Sequence, residues 1–321
     1  MKKFIIVTVC ISILLCILVY TNYPFLVKTM SNDSTSYTGS NLKIGAWIGR
    51  WPTSKGISGF EKLQGRHLDV LNIFIDWGMN FENFKNTLDE IYNNKSIAML
   101  SWEAIGLTTV DIASGIKDDY IRQMAKDLKL FEKEIWVGTM HEVNGNWYPW
   151  CIGDSTINTK DTYIRAFRHI VDIFRTEGAY NVKWLYNIDS DNVGANSSFM
   201  FQYPGDDYVD IISINGYNWG TSTTKFSCEW RTFDEVYYPA YEAVKVTNKP
   251  IILGEWSSTE TGGDKAEWIE DAFDKLNSEK YSQIKAVIWF NEKKETDWRI
   301  NSSAVTLEAY KKALKHSGSS R

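Results

Sequence analysis

The stretch Pro250-Ile251-Ile252-Leu253-Gly254-Glu255-Trp256 is a short apolar run that ends in a charged and an aromatic residue. Such a run, rich in branched side chains and bounded by polar or turn-forming residues, is typical of a buried β-strand. Similar runs recur along the chain. The predicted strands are Lys43–Ile48, Leu68–Ile75, Ser96–Trp102, Ile135–Met140, Val182–Asn187, Val209–Asn215, Pro250–Trp256 and Lys285–Phe290.

Longer segments with a helical pattern separate the strands. Their apolar residues recur at intervals of three and four, as in Ile121, Met124, Ala125 and Leu128, which is the period of an amphipathic helix. Helices are predicted at Asp118–Glu132, Lys160–Thr176, Phe233–Val246 and Ala266–Asn277. Strands that alternate with helices over about 250 residues predict an α/β fold, the closed (β/α)8 or TIM barrel.

The alternative fold for this order of elements is an open, doubly wound parallel sheet. That fold commonly carries a glycine-rich phosphate loop after its first strand. Here the first strand runs into Gly49-Arg50-Trp51-Pro52, which does not have the spacing of such a loop. The sequence therefore favours the closed barrel.

The composition limits the classes of partner. The chain has 321 residues, of which 44% are hydrophobic, and a formal net charge of −5. Without a block of Lys and Arg we expect no nucleic-acid partner. The 14 Trp and 17 Tyr offer flat rings that pack in cores and also stack on sugars. We expect a monomer that binds a polysaccharide or oligosaccharide.

The N-terminus is predicted to lie outside the barrel. After Lys2 and Lys3, the apolar run Phe4–Tyr20 is typical of an export signal or a membrane anchor. Because no good small-x-small cleavage site is found, an uncleaved anchor is favoured over a cleaved signal. The two Lys place the N-terminal end in the cytoplasm, so the rest of the chain is expected to be extracytoplasmic, anchored to the membrane by the N-terminus or secreted. The predicted domains are residues 1–27 as signal peptide or transmembrane anchor, 28–41 as polar linker, 42–315 as barrel and 316–321 as polar tail.

Cys151 and Cys228 are the only cysteines after the N-terminal apolar run. An oxidising environment would allow them to form a disulfide, and the sequence leaves this open. The chain has no Cys-x-x-Cys pair, no His-x-x-x-His pair and no Gly-x-Ser-x-Gly motif. It therefore predicts neither a metal site nor a serine nucleophile.

Two glutamates stand where a barrel places its chemistry. Catalytic residues of a (β/α)8 barrel lie at the C-terminal ends of the strands. Glu142 follows the fourth predicted strand and Glu255 lies at the end of the seventh, so they face each other across the mouth. Cleaving a glycosidic bond with retention needs two carboxyl groups about 5–5.5 Å apart, one protonated and one ionised. The pair therefore predicts glycoside hydrolysis.

The neighbours of the two glutamates are predicted to tune the pair and to contact the sugar. Like charges raise one pKa, and an aromatic wall such as Trp147 raises it further. Tyr217 at the sixth strand end is predicted to donate to Glu255, and Trp289 on the eighth to lie beneath the sugar. Further candidates are His141 and Asn144 through hydrogen bonds, and Trp77, Trp102, Trp150 and Trp219 through their rings.

The segment His141-Glu142-Val143-Asn144-Gly145-Asn146-Trp147-Tyr148-Pro149-Trp150 resembles the acid/base motif of glycoside hydrolase family 26. Leu253-Gly254-Glu255-Trp256 resembles that family's nucleophile segment, and Asn215–Gly220 and Asp297-Trp298-Arg299 are also similar to stretches in it. The resemblance implies a (β/α)8 barrel and retaining, usually endo-acting hydrolysis of β-linked polysaccharides without a metal or cofactor. It implies Glu142 as acid/base and Glu255 as nucleophile, with His141, Trp147, Tyr217 and Trp289 around the cleaved sugar.

Departures from the family pattern leave the substrate open. Val143 and Trp256 replace a common Met and Phe, and Gly138-Thr139-Met140 lacks the Arg-Pro that precedes His-Glu in many mannanases. The simplest expectation is a β-mannanase-like enzyme. The alternatives are a mixed-linkage β-glucanase, a β-1,3-xylanase, a surface enzyme that trims the cell's own exopolysaccharide, and a non-catalytic carbohydrate-binding barrel.

Overall fold

The computed structural model describes residues 42–316, apart from Lys225 and Ser227. These residues belong to one compact unit. The predicted signal or anchor segment, residues 1–27, and the predicted linker, residues 28–41, lie outside the described residues. Among the helices of the described part, none combines the length and apolar character needed to cross a membrane.

Parallel strands close this unit into a barrel. Within residues 42–316 each strand pairs in parallel with the next along the chain, and the last pairs with the first. The strands are β1 Lys43–Trp47, β2 Val70–Asp76, β3 Ile97–Glu103, β4 Ile135–Thr139, β5 Val182–Asp189, β6 Ile211–Asn218, β7 Ile251–Ser258 and β8 Ile284–Phe290. All predicted strands are present, and the closed ring confirms the barrel over the open sheet.

Helices cover the outside of the barrel. They are α1 Ser54–Gln64, α2 Lys85–Asn93, α3 Thr109–Ala113, α4 Asp118–Phe131, α5 Lys160–Glu177, α6 Phe233–Val244, α7 Lys265–Leu276 and α8 Ala304–His316. The predicted helices correspond to α4, α5, α6 and α7. In α5 the Thr159 hydroxyl accepts the Thr162 N–H at the start, and Gly178 ends the helix with a φ of 79°. The connection from β5 to β6, all of whose residues are described, has no helix.

The barrel interior changes from apolar to polar along the strands. Its lower layer is an apolar cluster distinct from the larger core under the helices, formed by Val70, Met99, Trp136, Leu185, Ile211, Ile252, Ala286 and Ile288. Two residues further along, the same face carries small or polar residues, which are Asn72, Ser101, Gly138, Asn187, Ser213 and Gly254. Because the C-terminal ends of all the strands lie at the same end of a parallel barrel, these polar side chains lie close together at its mouth.

A β-bulge in β7 turns Glu255 into the mouth. Ile214 pairs with Leu253, but the next residue, Asn215, pairs with Glu255, so Gly254 is an extra residue in the strand. Strict alternation along β7 would place Glu255 on the outer face, against the helices. The bulge therefore sets the side of the barrel on which this carboxyl group lies.

Gly254→Ala is expected to destabilise the barrel. A Cβ there would lie 2.0 Å from Ser213 Oγ and 2.9 Å from Asn215 Oδ1, so the strands must move apart. We expect a loss of about 1–3 kcal/mol in the free energy of unfolding, measured by urea denaturation. The control is Gly59→Ala in α1, where a Cβ meets nothing within 4 Å and a gain of about 0.5–1 kcal/mol is expected. Similar effects of both substitutions would contradict the role of the bulge.

Candidate active site

The backbone turns sharply after β4 to bring Glu142 into the mouth. Met140 and Glu142 are both left-handed, with φ of 50° and 54°, which costs about 1–3 kcal/mol for each residue with a side chain. Contacts hold the turn in place. The side chain of Asn187 accepts the Glu142 N–H at 3.1 Å, and the Trp150 indole donates to the His141 carbonyl at 2.7 Å. One of the two strained residues, Glu142, is thus the residue whose carboxyl group enters the site.

Glu142 and Glu255 share a hydrogen-bond donor. Asn215 Nδ2 lies 2.9 Å from Glu142 Oε1 and 3.1 Å from Glu255 Oε1. Each carboxyl group also has a donor of its own: Trp147 Nε1 is 2.7 Å from Glu142 Oε2, and the Tyr217 hydroxyl is 2.6 Å from Glu255 Oε2. Both glutamates are buried. All four carboxylate oxygens therefore accept a hydrogen bond from the protein, as burial requires.

His141, Glu142 and Glu255 form the group that could hold a metal ion among the described residues. One donor atom of each lies within 4.8 Å of the others. The surroundings fit a cation poorly, because the Asn215 amide and the neighbouring donors aim hydrogens at the lone pairs that a cation would need. The contacts fit a pair of carboxyl groups that exchange protons.

Burial and repulsion alter the ionisation of the pair. Burial, followed by the charge of Glu142, raises the pKa of Glu255 to about 8, although the Tyr217 hydroxyl lowers it. Burial, with Asp76 next in effect, raises the pKa of Glu103 at the end of β3 to about 7. Since two like charges this close do not both ionise readily, the Glu142–Glu255 pair holds one proton near neutral pH.

His141 lies beside the pair and is packed into the structure. It is 2% exposed, and its ring contacts Tyr148 and Trp150 with centroids 4.6 Å and 5.6 Å apart. Burial lowers the pKa of His141, which keeps the imidazole neutral. Its Nε2 is 3.9 Å from Glu103 Oε1. The structure therefore places His141 at the site, where the sequence predicts it.

Asn144 differs from the sequence prediction, which has it bind sugar. Its Nδ2 donates to the carbonyl oxygens of Asp189 and Asp191, and its Oδ1 accepts the Asp189 N–H at 2.7 Å. The side chain is fully buried. Because these bonds already use its donors and acceptor, Asn144 ties the loop after β4 to the end of β5 instead of facing a ligand.

Trp289 also differs from its prediction, because it lies outside the barrel. Its ring is fully buried and packs on Trp256 and on Tyr310 of α8, with centroids 4.8 Å and 5.2 Å away. The next residue, Phe290, faces the mouth, with its ring 5.7 Å from that of Tyr217. Residues alternate between the two faces of a strand, so the position predicted for the Trp289 ring is occupied by Phe290 instead.

Trp77 and Trp102 belong to the core between barrel and helices, contrary to their prediction as sugar contacts. Their rings lie 4.7 Å apart, and Tyr120 of α4 lies 6.0 Å and 5.9 Å from them. Both are buried. Both residues continue the alternating series of side chains that point outwards from β2 and β3. Their rings therefore pack against a helix and do not face the mouth.

Of the remaining predicted tryptophans, one is buried beneath the site and two are exposed or partly exposed at the mouth. Trp150 is fully buried and stacks on Tyr148 at 4.6 Å, so it supports the ring beside His141 and is not itself open to a ligand. Trp147 is 46% exposed. Trp219 is partly exposed. These two rings are free to meet a ligand at the mouth.

The sequence prediction omits several residues of the mouth. They are Asn187, Asn215, Glu103, Tyr148, Phe290 and Trp298. A signal for Asn215 is present in the sequence, because it lies two residues before Tyr217 and so shares its face of β6. The partners of Asn187 lie on neighbouring strands, and only the closed barrel brings them together.

The cysteines outside the N-terminal run are free thiols. Cys151 Sγ contacts the carbonyl oxygen of Glu142 at 3.2 Å, and Cys228 Sγ contacts that of Thr223 at 3.5 Å. The structure therefore lacks the disulfide that the sequence leaves open.

Comparison with known sequences shows a similarity to one family of glycoside hydrolases. The family model for glycosyl hydrolase family 26 matches residues 110–249. The chain is 50% identical over 290 residues to Endoglucanase H of Acetivibrio thermocellus, a match that covers 90% of this chain and 32% of that protein. It is 33% identical over 88 residues to a mannan endo-1,4-beta-mannosidase of Bacillus subtilis, covering 24% of this chain and 22% of that one. Over residues 110–249 the chain is thus similar to glycosyl hydrolase family 26.

Solved structures share the barrel. A GH26 beta-mannanase from Bacteroides ovatus matches with a TM-score of 0.64 at 17% identity, over 87% of this chain and 89% of that one. The Bacillus subtilis mannanase man26 matches with a TM-score of 0.60 at 16% identity, over 84% and 85% of the two chains. These likenesses show the fold. The chain spans about a third of the length of Endoglucanase H.

Glu255→Gln is expected to change how stability depends on pH. The raised pKa of about 8 means that the folded pair keeps a proton that the unfolded chain has already released. Wild-type stability therefore falls as the pH rises from the unfolded pKa to the folded one, and a neutral Gln removes this loss. Urea denaturation at about pH 5 and about pH 9 should show the advantage of Gln growing with pH. An unchanged difference at the two pH values would contradict the shared proton.

Proposed function

We propose that the protein is a retaining glycoside hydrolase that cleaves a β-linked polysaccharide by double displacement. One observation carries the proposal: Glu142 and Glu255 are buried with carboxylate oxygens within 4.8 Å of each other. Retaining enzymes hold these groups about 5–5.5 Å apart, whereas inverting enzymes leave about 6.5–9.5 Å for a water molecule. The short separation supports retention, and the family supports a glycoside as substrate.

In this proposal Glu142 is the acid and base, and Glu255 is the nucleophile. Glu142 protonates the leaving glycosidic oxygen while a Glu255 oxygen attacks the anomeric carbon, so the glycosidic bond breaks and a glycosyl ester forms. Glu142 then takes a proton from water, whose oxygen attacks the same carbon and releases Glu255. Two inversions restore the original configuration.

The individual donors support this division of roles. The Tyr217 hydroxyl lies 2.6 Å from Glu255, and the Trp147 indole lies 2.7 Å from Glu142. A phenol is more acidic than an indole, so it stabilises an ionised carboxylate more strongly. The Tyr217 hydroxyl therefore favours the ionised form of Glu255, which the first step needs, and acts against the rise in the pKa of Glu255 that burial and the charge of Glu142 cause.

Aromatic rings on both sides of the pair support binding of a continuous sugar chain. Tyr217, Trp298 and Trp219 form a wall on the side of β6, with the Trp298 ring 5.0 Å and 4.8 Å from the other two. Trp147, which is 46% exposed, stands beside Glu142. Because rings flank the cleavage point on two sides, we propose endo action on a chain that passes through the mouth.

The relatives guide the choice of sugar. A relative that is 50% identical over 90% of this chain is named an endoglucanase, so β-glucan is the first candidate. The missing Arg-Pro before His141 agrees with this choice, because many mannanases carry it. β-Mannan is the second candidate, since a more distant relative and solved structures of the same fold are named mannanases. The name endoglucanase describes a protein of which this chain matches 32%.

The substrate is tested by the release of reducing ends from barley β-glucan, β-mannan and β-1,3-xylan with the purified full-length chain. We expect β-glucan to be cleaved fastest and to yield a mixture of oligosaccharides, as endo action requires. Faster cleavage of mannan would overturn the choice of sugar only. Tight binding without cleavage of any polymer would overturn the hydrolase in favour of a carbohydrate-binding barrel.

The roles of the two glutamates are tested with substrates that differ in leaving group. Glu142→Ala should slow hydrolysis of the polysaccharide by about 100- to 10,000-fold, yet spare cleavage of aryl glycosides with good leaving groups, which need no proton. Glu255→Ala should abolish both reactions, because no glycosyl ester forms. A Glu255→Ala variant that keeps near wild-type rates would contradict the assignment of the nucleophile.

A further inference from the structure

A closed chain of hydrogen bonds begins and ends at Glu142. Its backbone N–H donates to Asn187 Oδ1 at 3.1 Å. Asn187 Nδ2 donates to Ser213 Oγ at 2.9 Å and to Asn215 Oδ1 at 3.0 Å. Asn215 Nδ2 returns to the Glu142 carboxylate and also reaches Glu255. All of these side chains are buried, so each bond replaces water that cannot enter.

The chain has a direction that the backbone imposes. An asparagine amide can in principle present either its oxygen or its nitrogen to a neighbour. The Glu142 backbone N–H can only donate, so Asn187 must turn its oxygen towards it and its NH2 group towards Asn215. Asn215 then presents its oxygen to Asn187 and both of its N–H hydrogens to the carboxyl groups. The backbone of the acid residue thus determines which atoms face its own side chain.

We propose that Asn215 is a positioning residue that donates to whichever of the two carboxylates is ionised, and that Asn187 keeps its amide in the required orientation. The inference rests on the proposed function for its role in turnover. It goes beyond the roles of Glu142 and Glu255, because it assigns a task to two asparagines that neither bind a metal nor transfer a proton.

The double displacement explains why one shared donor is useful. In the first step Glu142 loses its proton to the leaving oxygen, and Glu255 gives up its charge on forming the ester, so the negative charge moves from Glu255 to Glu142. In the second step water returns a proton to Glu142, and breakage of the ester returns the charge to Glu255. Asn215 already has one hydrogen on each side, so it need not move as the charge changes place.

Other groups around the pair are unchanged by substitution of Asn215. They are Glu103 on β3 with Asp76 behind it on β2, His141, Tyr148 and Cys151 after β4, Asp189 on β5, Tyr217 on β6, and Lys294 after β8. Because an Asn215 substitution alters none of these residues, a change in titration on removing the Asn215 amide is expected to report the loss of that donor.

Asn215→Ala tests the proposal through the pH profile of kcat/KM. A donor to an ionised carboxylate lowers its pKa, so its loss should move both limbs of the profile upwards by about one pH unit. The maximum of kcat/KM should fall by about 10- to 100-fold, as for a lost hydrogen bond to a charged group. A lower rate with both limbs at wild-type positions would overturn the proposal and leave Asn215 a structural role.

The matched control is Asn72→Ala. Asn72 is also a buried asparagine of the barrel interior, but its side chain pairs with Ser101 on the neighbouring strand. We expect it to lower stability while both limbs of the pH profile stay in place. If Asn72→Ala moves the limbs as far as Asn215→Ala does, the shift arises from a general loosening of the barrel and the proposal fails.

A readout independent of activity separates this inference from the proposed function. NMR of full-length chain labelled with carboxyl-13C glutamate follows the titration of Glu142 and Glu255, assigned with Glu142→Gln and Glu255→Gln. Asn215→Ala should raise both midpoints, and unchanged midpoints would overturn the inference even in an active enzyme. If Asn215→Ala raises both midpoints but the wild type cleaves no polysaccharide, the proposed hydrolase function is refuted and the inference about the shared donor stands.

Asn187→Ala tests the orientation of the same Asn215 amide by removing the side chain that donates to its oxygen. Without Asn187, the Asn215 amide is free to turn its oxygen towards the carboxylates, so both midpoints should rise here too. Asn215→Ser, which keeps one donor, should give a smaller rise than Asn215→Ala and serves where the alanine variant does not fold. Midpoints that rise with Asn215→Ser but not with Asn187→Ala would overturn the part of the proposal that concerns Asn187.

Discussion

Two carboxyl groups buried side by side are the constraint on which the barrel mouth depends. Glu142 and Glu255 each lose water on burial, and each disfavours ionisation of the other. A pair of this kind persists only when donors replace the water and one group keeps a proton. Asn215, Trp147 and Tyr217 supply these donors, and Asn215 serves both glutamates at once.

The backbone takes a special form at both glutamates. Glu142 enters the mouth through a left-handed conformation, and Glu255 enters it through the bulge at Gly254. A regular strand would place Glu255 on the outer face, against the helices. The departure from regular geometry therefore occurs where function demands it, and regular pairing elsewhere in the barrel holds the departures in place.

The sequence predicts the barrel well, because strand and helix periods depend on local patterns. Each predicted strand is present, and the ends of the fourth and seventh strands correctly indicate the facing carboxyl groups. The aromatic contacts are predicted less well. Trp289 and Trp102 stand at strand ends, yet they face the helices, because position at an end does not tell which face a residue occupies.

Two further limits of sequence reasoning are physical. The bulge at Gly254 is a one-residue shift of register that leaves no trace in the hydrophobic pattern. The bonds of Asn144 and Asn187 join residues about forty positions apart or on separate strands, so their partners emerge only when the barrel closes. Only the three-dimensional structure therefore shows whether a polar residue near a predicted site faces the substrate or holds other residues in place.

The bond from the Glu142 backbone to Asn187 also has a consequence for the order of folding. The strained turn after β4 is held by a side chain on β5, and the carboxyl pair needs Asn215 on β6 and Glu255 on β7. A nascent chain that has formed only its first four strands contains Glu142 but not the side chains that hold its backbone in place. The carboxyl pair is thus complete only after β7 has joined the sheet, which makes its formation a late event in folding.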